Sequence, residues 1–138
     1  DEVEANIGIS KKYNIFELQS AIANNEKAKA MEIVSYFAAN TRETSLLPII
    51  SILNSHFEKL FIYMQLCNSK SPADLATEMG TRPYFLDQYR KSAGFFNMKK
   101  VLDVFKLLRD YDLKFKGIEC VTPENELMRE MIYKIVHL

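Results

Sequence analysis

The stretch from Ser45 to Cys67, SLLPIISILNSHFEKLFIYMQLC, limits what this chain can become. It is the longest apolar run. Ser51, Ser55, Glu58 and Gln65 recur at helical spacing and form one narrow polar stripe, interrupted by Ile62. Leu46, Leu47, Ile49, Ile50, Leu53, Phe57, Leu60, Phe61 and Met64 cover most of the remaining circumference. A helix that is apolar most of the way round has to be surrounded by other helices. Pro48 falls in its first turn, where a missing N–H does no harm. The helix would be roughly 35 Å long, the width of a small domain. His56, Glu58 and Lys59 sit mid-segment, and charge at a bilayer centre is costly, which argues against a membrane span. The stretch is read as the central core helix.

A chain of 138 residues suits one domain, large enough to fold without a metal or disulfide. Eighteen basic and eighteen acidic side chains cancel, so net charge demands neither nucleic acid nor membrane. The charges are unevenly spread, however. Between residues 82 and 116 stand Arg82, Arg90, Lys91, Lys99, Lys100, Lys106, Arg109, Lys114 and Lys116. Only Asp87, Asp103, Asp110 and Asp112 oppose them. Such a segment suits a phosphate backbone or an acidic partner, or is simply the solvated face of two helices. Cys67 and Cys120 share no CxxC spacing and no nearby histidine pair, so no metal is expected. They read as reduced thiols in a cytoplasmic protein. The chain opens on Asp1 with no initiator Met and no signal peptide, and is expected to be a piece of a longer protein.

Residues 1–13 carry few apolar anchors and read as an arm or linker from an upstream domain; residues 14–138 form the domain proper. Asn14 and Glu17 make a capping-box pattern at the start of a helix whose expected buried face is Ile15, Phe16, Leu18, Ala21 and Ile22. After a break at Asn24-Asn25, a second helix runs from about Glu26 to Ala39, with Ala30, Ile33, Val34, Phe37 and Ala38 apolar. These helices are expected to pack as antiparallel neighbours, because the connections are short. Beyond the central helix, Ser71-Pro72-Ala73-Asp74 gives a helix start and Gly80 its end. Pro83 opens another helix, with Tyr84, Phe85, Leu86 and Tyr89 as contacts, closed by Gly94. Asn97 caps a long helix from Met98 to about Phe115. Its expected stripe is Val101, Leu102, Phe105, Leu108 and Tyr111 or Asp112, and Gly117 stops it. Thr122-Pro123-Glu124 starts the last helix, buried through Leu127, Met131, Ile132, Ile135 and Val136. No strand pattern is found. The expected fold is all-α, a bundle of about seven helices around the long central one.

The case for catalysis is thin. Gly8, Gly80, Gly94 and Gly117 form no phosphate-cradling cluster. His56 and His137 are far apart and lack ligand partners at helical spacing; His56 is read as an edge or interface histidine. Asp110 and Asp112 point to different helix faces. No cofactor is expected. The segment SPADLATEMGTRPYFLDQYRK, Ser71 to Lys91, has the form of a helix-turn-helix. In a stand-alone DNA-binding domain its second helix would read bases, with Arg82, Arg90 and Lys91 as the contact residues. Pro83, Tyr84, Phe85 and Leu86 make an apolar start for such a helix, and helical hairpins of this form also serve as plain packing units.

The order of elements resembles the C-terminal domain of the delta subunit of bacterial DNA polymerase III, which belongs to the clamp loader. YNIFELQSAIANNEKAKAMEIV is similar to the family's opening helix, break and second helix. LLPIISILNSHFEKLFIYMQL is similar to its long apolar helix. SPADLATEMGTRPYFLDQYRKSAGFF matches its short helix, Gly turn and proline-started helix, and LDVFKLLRDYDLKFKG its helix ending in Lys and Gly. The resemblance covers the chain from about Asn14 onward. It implies a non-catalytic helical domain that joins ATPase-type and delta-prime-type subunits in a pentameric collar during clamp loading. It also implies that Lys114, Lys116, Gly117 and the loop to Val121 lie near primer–template DNA. Some relatives carry an aromatic ring in that loop; Ile118, Glu119, Cys120 and Val121 offer none. Apolar surface left without its partners predicts weak self-association in isolation.

Overall fold

The computed structural model of the chain describes residues 12–117 and 121–138. Most of the expected arm, and Ile118 to Cys120 of the expected DNA-proximal loop, therefore lie outside the described residues. Among the described residues there are seven α-helices and one 3-10 turn, and no strand. In chain order they are α1 (Ile15–Ala23), α2 (Lys27–Ala39), α3 (Leu46–Leu66), α4 (Pro72–Met79), the 3-10 turn Pro83–Phe85, α5 (Leu86–Ala93), α6 (Met98–Phe115) and α7 (Glu124–Val136).

The local signals act where they stand. The Glu17 amide donates to Asn14 Oδ1 at 2.9 Å, and the Asn14 amide donates to Glu17 Oε1 at 3.1 Å, so the capping box is complete. The Asp74 amide donates to Ser71 Oγ, with Pro72 in the first turn of α4. Gly80 ends α4 in the left-handed region, φ 73°, which a residue with a Cβ adopts only with strain. The Lys100 amide donates to Asn97 Oδ1 at the start of α6.

The central helix α3 packs against α1, α4, α5, α6 and α7. Leu46, Ile49, Leu53, His56, Phe57 and Leu60 form its buried stripe, and Ser51, Ser55, Glu58 and Gln65 face solvent as expected. The enclosure is less complete than the sequence suggests: Leu47 is exposed, and Ile50, Phe61 and Met64 are half-buried. Two other buried faces are corrected. Phe16 is exposed, because it stands about 200° round the helix from Leu18, which is buried. On α6 the interior stripe is Val101, Val104, Leu108 and Tyr111. Leu102 points outward instead, and Phe105 is half-buried against Phe61. The segment after Pro83 starts as a 3-10 turn, with Tyr84 and Phe85 exposed and Tyr89 buried.

α1 touches α2 and α3, as the short connections require. The most extensive helix pair, however, is α2 with α7, elements far apart in sequence. Lys12 and Tyr13 are docked as well. Tyr13 hydrogen-bonds Glu32 and meets the Tyr36 ring edge-on at 5.7 Å, and the Lys12 amide donates to the Tyr36 hydroxyl.

The start of α3 is held from the far end of the chain. Ser45 makes no side-chain cap, and instead the Leu46 amide donates to Glu124 Oε2 at 2.8 Å. Glu124 also stands in the first turn of α7, so one carboxylate faces two helix N-termini. The Glu124→Ala variant is expected to be about 1–2 kcal/mol less stable in denaturant unfolding, the usual cost of a lost charged cap. An unchanged midpoint would remove this contact from the stabilising set.

Candidate interaction surfaces

The histidine read as an edge residue is an interior one, and that is a correction. His56 is 4% exposed. Its ring stacks on Tyr89 at 5.2 Å and meets Phe57 edge-on. Gln19 Nε2 lies 3.0 Å from Nδ1, and Ser92 Oγ lies 3.4 Å from Nε2. An amide nitrogen can only donate, so Nδ1 accepts and Nε2 carries the proton toward Ser92. Burial first, and Lys59 second, push the ring down to a pKa of about 4. A neutral imidazole thus ties α1, α3 and α5 together. Ringed by packed side chains, it has no open face toward a substrate.

The Ser71–Lys91 hairpin presents little that reads DNA. Arg90 donates to Asp87 Oδ1 at 2.6 and 2.9 Å, and Lys91 lies 3.5 Å from Asp87 Oδ2. The hydrogen bond from Arg90 holds the Asp87 carboxyl below its usual range. Arg82 is exposed, ahead of the apolar 3-10 turn. A stand-alone helix-turn-helix reader finds no support in this arrangement. Tyr84 and Phe85 pack edge-on against each other in the open instead, with Tyr84 86% exposed.

Lys114, Lys116 and Gly117 stand at the end of α6, with the two lysine side chains directed to different partners. The Lys114 ammonium sits over the Tyr111 ring at 4.6 Å, with Lys134 from α7 at 5.2 Å. Tyr111 donates to Glu130 Oε1 at 3.0 Å; burial and that bond raise its hydroxyl to about 12. Lys116 pairs with Asp112 at 2.9 Å. Gly117 has φ 80°, and its amide donates to the Lys114 carbonyl, closing the helix. Val121 is exposed.

The solvent face of α6 holds the feature that the charge count did not single out. Leu102, Lys106, Arg109 and Leu113 are all exposed, at spacings of three and four residues. Among the described residues Lys106 and Arg109 make no ion pair, whereas Lys99 is bound to Asp103. Beside this ridge a groove between α6 and α7 is lined by Leu107, Tyr133 and Leu138 and by the charged or polar Asp103, Lys106, Asp110, Lys134 and His137. The missed signal was the eleven-residue spacing of Leu102 and Leu113, three helical turns.

Among the described residues no group of three His, Cys, Asp or Glu side chains is placed to hold a metal ion. None of the described helices is long and apolar enough to cross a membrane. The family model of the DNA polymerase III delta subunit, C-terminal domain, matches residues 12–132. The chain belongs to that family. As the C-terminal domain of a delta subunit it is a non-catalytic assembly module of the clamp loader, and its all-α bundle is of the collar-domain type. No curated protein and no solved structure matches the chain.

Proposed function

We propose that this domain packs with the corresponding domains of ATPase-type and delta-prime-type subunits in a pentameric, cytoplasmic collar. The observation that carries this reading is the family match over residues 12–132. The surface supports it. Phe16, Tyr84, Phe95, Leu102 and Tyr133 are large, apolar and exposed on several faces, although the interior is already filled. Burying such side chains against sister domains would set subunit order and orientation, a task that needs complementary surface and no chemistry.

The test is gel filtration with light scattering of the chain mixed with the other clamp-loader subunits of its organism. A stable complex at moderate salt is expected, together with weak self-association when the partners are left out. Failure to co-elute would overturn the collar reading.

Within the full assembly, Lys114, Lys116 and Gly117 are assigned to the neighbourhood of primer–template DNA. Two lysines at one helix end, within reach of solvent, suit a phosphate contact. The Lys114→Glu/Lys116→Glu variant should assemble normally but bind primer–template DNA with a salt dependence shallower by about two counterions. An unaltered salt slope would take these lysines off the DNA.

A further inference from the structure

We propose that the outer ridge of α6 is the seat of an acidic amphipathic helix supplied by a neighbouring member of the clamp loader. The inference rests on the assembly reading and names the surface and the chemistry of the partner.

The ridge is defined by geometry. At about 100° per residue, Leu102, Lys106, Arg109 and Leu113 fall within about 60° of the helix circumference. That strip lies nearly opposite Val101, Val104, Leu108 and Tyr111, which face the core. Lys106 stands nearest the crest of this strip, and the two leucines lie beside it on the outward side of the helix. Leu102 is 52% exposed and Leu113 36% exposed. They are three turns apart, about 17 Å along the axis. One exposed leucine is ordinary on a solvated helix face; two on one strip, three turns apart and flanking two cations, match the spacing at which a second helix packs. The α6–α7 groove on one side adds the apolar Leu107, Tyr133 and Leu138, set among Asp103, Lys106, Asp110, Lys134 and His137.

Charge decides the occupant. Along the ridge the order is Lys99, Leu102, Lys106, Arg109, Leu113, Lys116, a pattern that reads the same in both directions. An antiparallel second copy that sets Leu102 on Leu113 also sets Lys106 on Arg109 and Lys99 on Lys116. A parallel copy in register sets each cation on itself. Both arrangements place like charges together, so the ridge rejects its own kind. Its complement has apolar residues three turns apart with Asp or Glu between them. Lys99 and Lys116 are already held by Asp103 and Asp112, and Asp110 shares the groove with Lys106 without forming an ion pair, so the demand falls on Lys106 and Arg109. A nucleic-acid backbone would meet the cations but leave both leucines against phosphate, without an apolar partner.

The test compares the wild-type chain with Lys106→Glu/Arg109→Glu and with Leu102→Ser/Leu113→Ser. Each is titrated into the other clamp-loader subunits of its organism. All four residues are solvent-facing or nearly so, and helical circular dichroism checks that the variants fold. The expected result is association weakened about tenfold or more by either double change. Added salt should weaken the wild type and the leucine variant, but not the charge-reversed one. If the wild type assembles and both variants assemble equally well, the ridge is not the seat, and the collar reading stands. If the charge reversal spares assembly but weakens binding to primer–template duplex, the ridge is a phosphate surface and the proposal fails. If the wild type itself does not assemble, the collar reading falls and takes the ridge with it.

Discussion

The Phe57→Ala variant is expected to unfold with about 3–5 kcal/mol less free energy than the wild-type domain. Phe57 is fully buried on the central helix. Its ring meets Phe96 edge-on at 5.0 Å and the His56 ring at 5.1 Å. Truncation removes a large apolar side chain and both aromatic contacts, and leaves a cavity beside a helix that five others hold in place. Domains of this size are stable by only about 5–15 kcal/mol, so the change takes a large share of the total. Urea unfolding at neutral pH measures it. Phe57→Leu, which keeps most of the volume, should cost about 1–2 kcal/mol. Were the alanine variant to lose less than about 1 kcal/mol, the bundle would be collapsing around the gap. The view of α3 as a rigid central element would then fail.

The second large effect is one of pH. His56 keeps a pKa of about 4 in the folded domain against an ordinary 6.5, first because burial disfavours the cation and second because Lys59 is near. Unfolding frees the ring to take up a proton below pH 6.5. In that range the unfolded state binds more protons, so stability rises with pH. The contribution is complete above about pH 6.5 and is lost progressively as pH falls toward 4. The full span is worth about 3 kcal/mol. Replacing the ring with Gln removes this dependence while keeping a polar side chain in the site. The expected result is a wild-type stability that falls from pH 7 to pH 4.5 more steeply than that of His56→Gln. Equal slopes would mean that the imidazole is hydrated or charged in the folded state.

These two neighbours on α3 illustrate what is legible in a single chain. Phe57 belongs to an apolar spacing that identifies it as core from sequence. His56 does not, since its burial needs Gln19 from α1 and Ser92 from α5 at hydrogen-bond distance. No local pattern announces partners separated by 37 and 36 residues. Leu102 and Val104 make the same point. Both are apolar and both fit a helical stripe, and the choice between them is a rotation of α6. Packing against α3 and α7 settles that rotation.

Several helix starts and stops, though not the start of α3, were determined by residues within one turn of the boundary. Asn14 with Glu17, Ser71 with Pro72, Asn97 and Gly80 all act through hydrogen bonds or a backbone angle that the neighbouring three or four residues supply. The all-α class followed from the same short-range chemistry, and the order of motifs was enough for the family. The pairing of α2 with α7, the capping of Leu46 by Glu124, the neutral His56 and the outward turn of Leu102 were settled in three dimensions. Each depends on contacts between segments that the chain separates by tens of residues. Their geometry is set by the joint packing of several helices, and no one helix carries it in its own sequence.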